Sequence, residues 1–142
     1  MRPRTRTTII IVAATLFLIA LFLFYQAATP FHTVTLETDV KVAQGVGINL
    51  DTDKLYFGAM MPGASGERSI TLSSDKDAYV VIVKQGIMAD WLYPEENGFL
   101  LRGGTNRSVG FVINPPSGTP YGNYTSTVTF RFYKPFMASL LD

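Results

Sequence analysis

An all-β domain tethered by one N-terminal membrane-spanning helix is the architecture this sequence predicts, and three observations predict it. The stretch from Thr7 to Ala28 has no charged residue and no helix breaker. After Pro30 the composition switches to β-branched and aromatic residues broken by Gly, Pro, Asn and Asp, which is strand-and-turn chemistry. No helical stripe follows. The 142 residues accommodate one ordinary domain and a short extra element, and not a second full domain.

At ~1.5 Å per residue, Thr7 to Ala28 makes a helix of roughly 33 Å, enough to cross a hydrocarbon layer of about 30 Å. Arg2, Arg4 and Arg6 precede the run and no basic residue closely follows it. The positive-inside bias therefore puts residues 1–6 in the cytoplasm and everything after Pro30 outside, a single-pass protein of the cell membrane. Tyr25 and Gln26 stand where an interfacial anchor belongs, and Pro30 ends the helix. A cleaved secretory signal starts in the same way. The run is long for a signal core, however, and Gln26 occupies the position where an A-x-A-like site needs a small residue, so retention as a signal anchor is the expectation. A pilin-type leader is the remaining alternative. Such helices often carry an early glutamate, and here no acidic residue precedes Glu37.

Strands are expected at Thr33 to Leu36, Gly47 to Leu50, Lys54 to Phe57, Ser69 to Ser73, Ala78 to Lys84, Ser108 to Ile113 and Asn123 to Tyr133, with a short piece at Phe99 to Leu101. Turn signals separate them at Met61-Pro62-Gly63, Asn97-Gly98, Gly103-Gly104 and Pro115-Pro116-Ser117-Gly118. About seven short strands with no intervening helices indicate an antiparallel two-sheet sandwich over residues 31–133. In the last strand Tyr124, Val128, Phe130 and Phe132 share one face, and Thr125, Thr127, Thr129 and Arg131 the other. Tyr79 to Val83 is apolar throughout and reads as a central strand. Val80, Ile82, Val109, Phe111, Val128 and Phe130 are the expected core.

Composition also excludes several functions. Beyond the three leading arginines, nine basic residues are scattered singly against eleven acidic ones, which lacks the clustered charge a nucleic-acid binder needs. The absence of cysteine removes disulfides, thiolate nucleophiles and Cys-based metal sites. His32, the one histidine, lies beside the membrane boundary with no Ser or Cys partner nearby and reads as an interfacial polar residue. Asp51-x-Asp53 and Asp75-x-Asp77 lack the spaced oxygens and distal Glu of a Ca²⁺ loop, and read as turns. Gly103-Gly104 is too short for a phosphate loop. The expectation is a protein without enzymatic activity, cofactor or metal.

Three features point to contacts instead. Trp91 and Tyr93, flanked by Asp90, Glu95 and Glu96, read either as a groove for carbohydrate or peptide or as a loop whose Trp91 plugs one end of the sandwich. The tail, residues 134–142, holds Phe136 and Leu140 among other apolar side chains and either folds back or meets a neighbour or lipid. Asn106-Arg107-Ser108 and Asn123-Tyr124-Thr125 are N-glycosylation sequons whose asparagines fall on the polar sides of their strands.

LYFGAMMPGASGERSITLSS resembles the strand, Pro-Gly turn and strand that open many prokaryotic, notably archaeal, immunoglobulin-like surface domains, and NPPSGTPYGNYTSTVTF resembles their penultimate corner and last long strand. The resemblance covers about Lys54 to Tyr133. It implies an immunoglobulin-like sandwich, with Tyr124 placing its hydroxyl on a corner backbone group. It carries over no catalytic residue. The functional expectation is a structural or interaction module of the cell envelope. Its partners are the lipid bilayer through Thr7 to Ala28 and another envelope protein or the surface layer, with self-association open. The alternative is a pilin-like or secretion-apparatus subunit.

Overall fold

The computed structural model describes residues 3–42 and 54–137 of the chain. Helix α1 spans Pro3–Ala28. It starts four residues ahead of Thr7, because Pro is well suited to the first helical turn, where its missing N–H costs nothing, and no breaker separates the arginines from the apolar run. Part of the expected cytoplasmic segment is thus the first turn of the helix. The hydroxyls of Thr15 and Thr29 donate to the carbonyls of Ile11 and Tyr25, at 2.9 and 2.8 Å, so these polar groups are satisfied within the helix itself.

Among the described residues eight strands follow: β1 (His32–Val42), β2 (Leu55–Met60), β3 (Gly66–Ser73), β4 (Ala78–Gly86), β5 (Leu92–Pro94), β6 (Phe99–Leu101), β7 (Asn106–Ile113) and β8 (Gly122–Tyr133). They form a five-stranded sheet of order β2-β1-β8-β4-β6 and a three-stranded sheet of order β3-β7-β5. One core joins the two sheets. Phe111 of β7 meets Phe130 of β8 edge-on, with ring centroids 6.0 Å apart, and all six expected core residues lie in the same buried cluster.

Several expectations need correction. Strand β1 runs to Val42, well past Leu36, because all eleven of its residues pair with β8 and its inward residues Thr38, Val40 and Val42 are buried. The sequence of its second half, ETDVKV, is too polar to reveal this in isolation. Strand β5 was not expected: three residues ending in Pro carry too little pattern, and pairing with β7 creates the strand. The domain is not wholly antiparallel, since β1 and β2 pair in parallel. A parallel connection needs about a dozen residues, and the stretch between Val42 and Leu55 supplies them. The expected strand Gly47 to Leu50 lies in that stretch, outside the described residues.

The turns follow their residue chemistry. Ala64 N–H donates to Met61 C=O at 3.0 Å with Gly63 at φ 78°, the type II geometry that Pro62-Gly63 encodes. In β8 the expected alternation holds, with Val128, Phe130 and Phe132 buried and Thr125 exposed.

Strand β4 sits inside its sheet as expected, but β6 covers only Ala78 to Val80 on its outer side. Beyond that point Asn97 replaces the missing strand. Its Oδ1 accepts from Ile82 N–H at 2.8 Å and its Nδ2 donates to Ile82 C=O at 3.0 Å. Asn97→Ala is expected to destabilise the domain by about 1–3 kcal/mol, since it strips both backbone groups of a buried residue of their partners. A urea midpoint unchanged from wild type would contradict this role.

Candidate functional site

Strand directions divide the β domain into two ends. His32, Ser73, Ala78, Asn106 and Tyr133 lie at the end next to α1, while Val42, Gly66, Gly86, Ile113 and Gly122 lie at the far end. From Tyr124 to Tyr133 the separation is roughly 30 Å at ~3.4 Å per residue. The residues singled out from the sequence fall at both ends.

The far end holds the aromatic group. A 3₁₀ turn at Ile87–Asp90 buries Met88 and delivers Trp91, whose N–H donates to Met88 C=O at 3.0 Å. Trp91 is half-buried and packs edge-on against Tyr124, with centroids 5.1 Å apart. Tyr124 in turn donates its hydroxyl to Pro120 C=O at 2.8 Å, as the corner motif implies. Trp91 is therefore a plug for this end of the core. Tyr93 points outward, 54% exposed, with Lys84 Nζ 5.3 Å from its ring centre; the same ammonium donates to Leu92 C=O at 2.7 Å. Ile87 and Tyr121 add exposed apolar surface at this end. The three acidic residues near Trp91 do not gather around it. Glu96 is paired with Arg107, and Glu95 lies over Gly110, whose lack of a side chain makes the room.

The near end holds Phe136, which is 52% exposed and lines a groove with Lys134 and the last turns of α1, Leu23, Phe24, Gln26 and Ala27. Phe136 is thus at the opposite end from Trp91 and Tyr93, and these residues form no single patch. Leu140 lies outside the described residues. His32 is exposed, its ring against Phe132 at 5.4 Å. The two sequon asparagines are both exposed, Asn106 at the near end and Asn123 at the far end.

Asp77 behaves as a turn carboxylate, accepting from Gly103 N–H at 2.7 Å. Asp51 and Asp53 lie outside the described residues. Among the described residues no cluster of three or more His, Asp or Glu side chains could hold a metal ion. The Asn97 bridge escaped sequence reading because Asn97-Gly98 signals only a turn; nothing local marks Asn97 as the partner of a strand fifteen residues away. Comparison with protein-family models, curated proteins and solved structures yields no match.

Proposed function

We propose that this chain is a membrane-anchored structural or interaction module of the cell envelope, without enzymatic activity, with residues 1–6 inside and the β domain outside. One observation carries the reading. Helix α1 is long and apolar enough to span a membrane, and its side chains from Ile9 to Tyr25 stand exposed, while the β domain has a complete core of its own. An apolar helix of this length that the folded domain does not bury needs lipid as its solvent. The leading arginines favour a cytoplasmic N-terminus. Two sheets over one core, the Pro62-Gly63 turn and the Tyr124 hydroxyl on Pro120 support an immunoglobulin-like sandwich. Contacts to another envelope protein or the surface layer fall to the far end, where Ile87, Tyr93 and Tyr121 are exposed. Asn106 and Asn123 are open to an extracytoplasmic glycosyltransferase.

The test is extraction and topology in cells. The protein is expected to resist carbonate extraction, to keep its N-terminal arginines by intact mass, and to lose the β domain when protease is added to protoplasts. A soluble mature form beginning near Thr29 would replace this reading with that of a secreted protein.

A further inference from the structure

We propose that the near end of the β domain rests on the bilayer surface and engages anionic lipid headgroups, so that the domain stands at a fixed depth and does not swing on its tether. This rests on the anchor reading above. The first ground is the tether. Only Thr29, Pro30 and Phe31 separate α1 from β1, a reach of about 10 Å. Even that is restrained, because Pro30 fixes its own φ and Phe31 N–H donates to Phe132 C=O at 2.9 Å. The near end cannot leave the headgroup region while α1 spans the hydrocarbon.

The second ground is what this end presents. Phe31 is 46% exposed, and Phe136 sits alongside the last turns of the helix, at the depth of Leu23 and Phe24. Aromatic side chains at this level match the amphipathic interface of a membrane. Around them stand three exposed cations: Lys76, beside Phe31 and His32; Lys134, beside α1; and Arg102. Arg102 is brought there by its turn, since Gly104 N–H donates to Ser74 C=O at 2.8 Å and Gly103 N–H to Asp77. None of the three cations makes an ion pair among the described residues. Asp75 and Asp77 share this end, Asp77 accepting from the Gly103 N–H, and the three cations outnumber these two carboxylates.

The third ground is distance. Headgroup attraction decays within about 8 Å at physiological salt, a distance the short tether does not allow the three cations to exceed by much.

The experiment uses the full chain in lipid nanodiscs with brominated acyl chains, of phosphatidylcholine alone or mixed with phosphatidylglycerol. Trp91→Phe removes the only tryptophan, and Tyr25→Trp, Phe136→Trp and Tyr121→Trp are introduced singly. Quenching is expected at positions 25 and 136 and not at 121, and at 136 it should deepen with phosphatidylglycerol. Changing Lys76, Arg102 and Lys134 to Glu should abolish that lipid dependence, each lost cation weakening engagement about fivefold. In the unsubstituted protein, backbone amides of the turns at Ser74 to Asp77 and Arg102 to Thr105 should exchange more slowly in phosphatidylglycerol discs. Quenching at 25 with none at 136 would overturn this inference and leave the anchor standing, whereas no quenching at 25 would overturn both. Quenching at 136 and turn exchange that both ignore phosphatidylglycerol would overturn the headgroup assignment.

Discussion

Phe130→Ala is expected to destabilise the β domain by about 3–5 kcal/mol, the range for emptying a fully buried aromatic site. Phe130 is 0% exposed. It lies on β8 between Val34 of β1 and Ile82 of β4, and its ring closes edge-on against Phe111 from the other sheet. Truncation therefore opens a cavity where the two layers meet, with strands on either side that hold their spacing through backbone pairing and cannot collapse into it. Against a typical domain stability of about 5–15 kcal/mol the loss is large. The adjacent Thr129→Ala is the control. Its hydroxyl meets only that of Thr35, at 3.2 Å on the exposed face, so a change within about 0.5 kcal/mol is expected. Urea titration of the full chain in detergent, followed through Trp91 fluorescence, separates the two. Equal shifts for both would refute the assignment of faces on β8.

Gly86→Ala is expected to be among the more damaging glycine substitutions at the described positions. Gly86 has φ 110° and ψ −174°, a region essentially reserved for glycine, and the backbone cost alone is about 1–3 kcal/mol. A Cβ there would also lie 2.7 Å from Ser126 Oγ and 3.1 Å from Ser126 Cα, so backbone as well as side chain must move. Ser126 is not free to yield. Its Oγ accepts from Met88 N–H at 2.8 Å, the bond that begins the 3₁₀ turn and seats Met88 in the core. Gly104→Ala offers the comparison, since Gly104 has φ 74° with nothing within 4 Å of the added atom. Its cost is limited to the ~1–2 kcal/mol of the left-handed conformation. A smaller effect at Gly86 than at Gly104 would show that the Ser126 contact relaxes freely.

What could be read from the sequence follows from how local each signal is. The apolar helix, the alternation of β8, the tight turn at Pro62-Gly63 and the six core positions are each set by a few neighbouring residues, and all are found. The full length of β1 depends on its pairing partner β8, ninety residues on, and its polar second half gives no local sign of it. The same holds for β5 and for the Asn97 bridge. The distribution of the marked residues over two ends was equally hidden, because Tyr93 and Phe136 are separated by strand directions that only the assembled sheets define.

The complete pairing of β1 with β8 has a mechanical consequence. Strand β1 follows α1 after three residues, so under the proposed anchoring a load applied to the far end of the domain would pull against the membrane along the strand axis. Eleven residue pairs of β1 and β8 lie across that line of force. Pulled lengthwise, they must give way together in shear and cannot open one after another as a zipper would. Under the proposed anchoring, this pairing bears tension between the membrane and whatever grips the far end.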